Sequence, residues 1–392
     1  MKATERTLML KKVLKTAAAG LVILVCLGLA VYVATGPERP DSESASAAWL
    51  ESGAYRVGRA ELVFVDDTRP TGENRGFPAK PQRTLPTTLW FPRELEAALP
   101  LIIHSHGIVS NRTEMAYLAE SLASHGYLVA ATDYPLTSGS TAGGANAADV
   151  VNQPADISFL IDSLIGMRDG QKPFSGQIDE SRIGLSGYSL GGLTTYLATY
   201  HPAWRDSRIA AAVAIAGPSA IFAPRFFKTT AVPVLAIAGT SDALIEHSRN
   251  AADLGTRARN LSVITIEGGT HLGFIGLADP AFRFMDNPDT LGCTAVMAVL
   301  GENPNAPFET MGSPADGIDP ARDLPGICDY GYGDATHPGR QQMITEIATL
   351  SFFESVFNTD PTRRERARQQ LTEHIAADFS EASFEPAQTH SL

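Results

Sequence analysis

Cysteine is scarce in these 392 residues: Cys26, Cys293 and Cys328 are all there is. No cluster of Cys, His or Glu at ligand spacing goes with them, so neither a metal centre nor another cofactor is expected. Positive charge is also short. The 31 Lys and Arg stand against 43 Asp and Glu, a formal net charge of −12. Residues 1–16 hold Lys2, Arg6, Lys11, Lys12 and Lys15 against Glu5 alone, so the rest of the chain stands at −16. A body that acidic is a poor partner for a nucleic-acid backbone or an anionic membrane surface. It suits an enzyme acting on neutral or cationic substrates. No internal repeat is present, which argues against repeat architectures. The apolar share, 44%, is enough for a sizeable core, and the length allows one large domain with insertions or two ordinary ones.

Charge is missing altogether from residues 17–36, where Ala17 to Ala34 is one apolar run long enough to span a bilayer as a helix. The basic flank before it would stay in the cytoplasm and place the body outside, in the periplasm or at the cell surface. Residues 1–36 therefore read as an uncleaved anchor, the alternative being a signal peptide whose removal releases the body. Val25 disfavours lipid attachment at Cys26. Residues 37–54, rich in Ser and Ala with Pro37 and Pro40, read as a flexible linker. Cys293 and Cys328 then form an isolated pair in an oxidising compartment, a candidate disulfide closing a long loop.

From residue 55 the pattern alternates. Strand-like runs are expected at 55–67, 87–91, 100–104, 127–132, 183–185, 209–215, 232–237 and 261–266, and helices at 111–125, 154–167, 192–200 and 246–260. Such alternation predicts an α/β fold over residues 55–380, with a mostly parallel central sheet and helices on both faces. Active sites of such sheets form in the loops after the strands. Residues 275–340 break the rhythm as a loop-rich insertion that reads as functional or as a lid. Helices are expected again at 341–358 and 361–377, the basic run Arg363–Arg368 being a solvated face, and residues 381–392 read as a frayed tail.

Gly187-Tyr188-Ser189-Leu190-Gly191 lies between a strand and a helix, the setting in which a sharp turn projects a serine nucleophile above a sheet. A neutral hydroxyl needs a base. His271 directly follows the 261–266 strand, in a glycine-rich loop that can return it over the sheet. His125, His201, His247, His337, His374 and His390 read as caps or exposed side chains. Asp242, the first carboxylate after the 232–237 strand, can orient the imidazole, cap the next segment, or both; Asp133 is its rival. The backbone N–H groups of Leu190 and Ile108 are the expected oxyanion donors, because Gly107 lets the loop after the 100–104 strand approach closely. His104 and His106, at i, i+2 spacing, lack a third ligand. Phe222, Phe226 and Phe227 can wall an acyl pocket or pack in the core.

These segments together resemble the α/β-hydrolase superfamily. They are His104-Ser105-His106-Gly107, Gly187 to Gly192, Gly239-Thr240-Ser241-Asp242 and Gly269-Thr270-His271. The nearest resemblance is to the branch holding plasma-type platelet-activating-factor acetylhydrolases, chlorophyllase-like esterases and dienelactone-hydrolase-like proteins, which the segment 153–160 also resembles. The resemblance spans roughly residues 55–275. It implies hydrolysis of carboxylic esters, lipid-like or with small acyl groups, through an acyl-serine, with Ser189 as nucleophile, His271 as base and Asp242 as acid. Ser189 departs from dienelactone hydrolases proper, which use cysteine, and residues 275–340 have no counterpart there. The alternatives are an acyltransferase or peptidase using the same acyl-serine, or a silent hydrolase fold that only binds.

Overall fold

The aliphatic and β-branched runs form nine strands of one sheet: β1 Val57–Asp66, β2 Arg83–Pro92, β3 Ala98–Ser105, β4 Leu128–Thr132, β5 Gln177–Tyr188, β6 Ile209–Ile215, β7 Val234–Gly239, β8 Leu261–Ile266 and β9 Ala382–Glu385. The computed structural model describes residues 3–300, 306–319, 326–329 and 331–388. His390 and parts of the tail and insertion lie outside them. The chain divides into two units, Met1–Glu38 and Arg39–Leu392. In the first, helix α1 spans Ala3–Ala34, and its stretch Leu14–Ala34 is long and apolar enough to cross a membrane.

The second unit carries the sheet, in the order β1-β2-β4-β3-β5-β6-β7-β8-β9. The six strands from β4 to β8 in that order are mutually parallel. The outer strands β1, β2 and β9 pair antiparallel. Successive residues of a strand face opposite sides, and both sides are covered. Leu101, Ile103, Ala212 and Ala214 pack with helices α2 (Gln153–Ile165) and α3 (Leu190–Tyr200) through Ile157, Ile161, Leu193 and Leu197. Ile102, Val129, Val213 and Ile215 face the other way, against the Ala116–Ser124 helix and Phe352 and Phe353 of the Pro338–Phe357 helix. This is the arrangement of the α/β-hydrolase fold.

Long-range contacts overturn several local expectations. Residues 39–54 are not a loose linker: Ser46 is fully buried, its N–H donates to Asp378 at 2.9 Å, and its hydroxyl receives the Gln370 amide at 2.7 Å. Trp49 and Leu50 pack on the core. The expected tail supplies β9, which covers the exposed backbone edge of β8. The expected 246–260 helix is two short ones, His247–Asn250 and Leu254–Arg257. There Asn250 and Arg257 turn inward and bond the backbone of Ser219, Ala220 and Phe222. The insertion holds a 12-residue helix, α4, Asp289–Leu300, and Cys293 is bonded to Cys328.

Candidate active site

The end of β5 and the start of α3 meet at Ser189, whose φ of 55° and ψ of −118° lie where a side chain is rarely tolerated. The surroundings hold it there. Its N–H donates to the Ile215 carbonyl at 2.9 Å and its carbonyl accepts from Leu193 at 3.1 Å. The flanking glycines have no room to be anything else. A Cβ on Gly187 would lie 2.1 Å from the Gly191 oxygen, and one on Gly191 would lie 1.9 Å from the Ser105 oxygen.

His271 reaches this turn from the loop after β8. Its Nε2 is 2.8 Å from Ser189 Oγ, and its Nδ1 is 2.8 Å from Asp242 Oδ2. The neutral tautomer that suits both contacts has Nδ1–H donating to the carboxylate and the serine hydroxyl donating to Nε2. Asp242, from the loop after β7, also performs the capping role: Oδ1 accepts from Leu244 N–H at 2.9 Å and Ile245 N–H at 2.7 Å. All three side chains are buried. Burial opposes charge on the imidazole, but Asp242, helped by Asp289 and Glu114, outweighs it and holds the His271 pKa above the usual histidine value. A hydroxyl proton can therefore pass to Nε2 with a carboxylate already in place to stabilise the cation.

The expected oxyanion loop lies against the same turn. A Cβ on Gly107 would sit 3.2 Å from Ser189 Cβ. Gly107 N–H is itself taken, donating to Glu114 Oε1 at 2.9 Å. Among the described residues, the N–H groups of Ile108 and Leu190 have no protein acceptor, which leaves them available to a ligand.

The remaining predicted residues lie elsewhere. Asp133 is bound to Arg112, away from His271. His104 faces Ser186 and Glu114, while His106 Nε2 accepts the Tyr134 N–H at 3.1 Å. Burial keeps the His106 pKa low, and no metal-binding cluster is present among the described residues. His201 accepts two N–H groups at a helix end, as expected of a cap. Phe222, Phe226 and Phe227 are core side chains: Phe222 and Phe226 stack with centroids 3.9 Å apart, fully buried.

Sequence reasoning missed the groups that hold the loops. Tyr188 donates its hydroxyl to the His271 carbonyl at 2.9 Å. Gln341 clamps Thr270 from both sides, donating to its carbonyl at 2.7 Å and accepting its N–H at 3.1 Å. Asp289 is fully buried and accepts the N–H groups of Ala243, His271 and Leu272. Asn287-Pro288-Asp289, a helix-start signal, marks the place of Asp289 without revealing its partners.

Comparison with known proteins gives two findings and one blank. The family described as "PETase: PET hydrolase-like" matches residues 85–275. The structure of a ferulic acid esterase from Streptomyces cinnamoneus is similar at a TM-score of 0.50 and 19% identity, covering 81% of this chain and 97% of that one. No curated protein matches.

Proposed function

We propose that the chain, which has the α/β-hydrolase fold and is similar over residues 85–275 to the PET hydrolase-like family, is a serine hydrolase of carboxylic esters, with Ser189 as nucleophile, His271 as base and Asp242 as orienting acid. The observation that carries this is the unbroken relay from Ser189 Oγ to His271 Nε2 and from Nδ1 to Asp242, 2.8 Å at each step. Ser189 Oγ adds to the ester carbonyl as its proton passes to Nε2, and Asp242 stabilises the imidazolium. The N–H groups of Ile108 and Leu190 hold the oxygen that becomes negative. When the tetrahedral species collapses, the C–O bond to the alcohol breaks and Nε2 returns its proton to the departing oxygen. Water then repeats the sequence on the acyl-serine: Nε2 takes a proton from the water, the acid is released and Ser189 regains its hydrogen.

The substrates proposed are lipid-like esters or esters of small acyl groups. The body's acidity favours uncharged or cationic ones. The candidate span Leu14–Ala34 and the disulfide support an extracytoplasmic body held by an N-terminal anchor. The test is Ser189→Ala against a series of nitrophenyl esters of rising chain length, with a ferulic acid ester alongside. Turnover is expected to fall by about a thousandfold or more while the thermal melt stays in place. Unchanged turnover in folded Ser189→Ala protein overturns the reading.

A further inference from the structure

We infer that Asp289, in the insertion, is a positioning residue for the proposed acid and base, its single carboxylate locking the Asp242 loop to the His271 loop. The inference rests on the reading of Ser189, Asp242 and His271 given above. Oδ2 accepts from Ala243 N–H at 3.0 Å and from His271 N–H at 2.9 Å, while Oδ1 accepts from Leu272 N–H at 2.8 Å. One of these donors neighbours the acid, one belongs to the base, and one follows it.

The carboxylate is held in its turn. Asn287 Oδ1 accepts the Asp289 N–H at 2.9 Å, and the Asn287 amide donates to Gly333 O at 2.9 Å. One helical turn after Asp289, Cys293 is bonded to Cys328, and Cys328 N–H donates to the Ala243 carbonyl at 2.9 Å. Ala243 is thus gripped at its N–H by Asp289 and at its C=O by the other end of the disulfide-closed segment. Ala243, Leu244 and Cys293 pack together with Ile327 and Cys328 as a small cluster of their own. The insertion is therefore built into the acid–base pair.

A carboxylate here acts by charge as well as by shape. The groups facing His271 are Asp242, Asp289 and Glu114, with the Tyr188 ring packed 5.0 Å from the imidazole. Those facing Asp289 are Asp242 and His271. Burial, with Asp242 close by, pushes the Asp289 carboxyl up to about 6, against the pull of His271 and the backbone N–H groups. Asp289 is accordingly ionised in the range where His271 must be neutral to work, and its charge makes the imidazole harder to deprotonate. Removing that charge lowers the His271 pKa, so the acid limb of kcat/KM moves to lower pH even as the looser loops slow the reaction.

The experiment is Asp289→Asn in the full chain, read by kcat, KM and the pH profile of kcat/KM on a nitrophenyl ester. Fluorophosphonate labelling of wild-type Ser189 comes first, and its failure condemns the underlying reading rather than this inference. With labelling intact, kcat is expected to fall about tenfold to a hundredfold, with KM changed less than about threefold. The acid limb should move down by about half a unit to one unit. A limb that stays in place overturns the inference, whatever the rate, because a packing role alone leaves the imidazole's charge environment unchanged. If the variant does not fold, ¹³C-histidine titration of the wild-type chain decides. The His271 signal, assigned by its loss in His271→Gln, should titrate in two steps, the lower near pH 6 as Asp289 takes its proton. A single step overturns the inference.

Discussion

Phe226 shows what residue type alone leaves open. Three phenylalanines within six positions, just after a strand whose end faces the site, suit an acyl pocket as well as they suit a core. The structure decides by geometry. Phe226 is fully buried, stacked on Phe222 and edge-on to Phe227, whose ring centroid is 5.4 Å away. Tyr200 closes the cluster from α3. Truncation here opens a cavity that the packed rings cannot fill, at a cost of about 3–5 kcal/mol. Phe226→Ala is therefore expected to lower the denaturation midpoint markedly, and among molecules still folded the preference across an ester chain-length series should not move. A shifted preference with stability unchanged would return Phe226 to the pocket. Ser189 is the opposite case: its glycine neighbours and its place after an apolar run suffice to mark it, and the crowding that excludes a Cβ at Gly187 arises within five residues of chain, although at Gly191 it comes from Ser105 on the neighbouring strand.

Elements were legible where their cause is local. The parallel strands announce themselves as short apolar runs, and parallel pairing puts the loops after β5, β7 and β8 at one rim, so Ser189, Asp242 and His271 could be placed from order alone. What was not legible depends on partners far away in sequence. Ser46 is buried because Asp378 and Gln370, more than three hundred residues on, take its hydrogen bonds. β9 forms because β8 has a free edge, and no periodicity in 382–385 declares that. Helix α4 belongs to the same class, since its start is fixed by Asp289 bonding to two other loops. The disulfide that ties α4 to Cys328 closes a separation of 35 residues, and the chain-entropy account assigns such a bond up to about 4 kcal/mol. Replacing both cysteines by serine should therefore speed proteolysis within 289–328. It should also lower kcat more than it raises KM, because Ala243, next to the proposed acid Asp242, loses a fixed neighbour in Cys328. Limited proteolysis and steady-state kinetics check the two halves separately, and a variant as resistant and as fast as wild type contradicts both.

At the scale of the molecule, the two units differ in what they hold. Every group proposed for the chemistry lies in Arg39–Leu392: the serine turn, the two loops stitched by Asp289, and the Gly107 loop backed by Glu114. The cores on both faces of the sheet are filled by that unit's own side chains, and even its first residues are bound within it through Ser46, Trp49 and Leu50. Met1–Glu38 contributes none of these groups; what it offers is a helix with an uninterrupted apolar stretch from Leu14 to Ala34. Such a stretch gains free energy from leaving water for a bilayer, on the order of 25 cal/mol per Å² of apolar surface, whatever the body does. Deleting residues 1–38 should then separate location from chemistry. The full chain is expected in the membrane fraction and the shortened one in the soluble fraction, with kcat/KM on a short-chain, water-soluble ester within about twofold of the full chain, since uniform removal of an anchor leaves the transition-state contacts untouched. Fractionation and kinetics on the same two preparations suffice. A shortened chain that partitions as before denies the helix its anchoring role, and one that folds but loses turnover on a soluble ester places part of the active machinery in the first 38 residues.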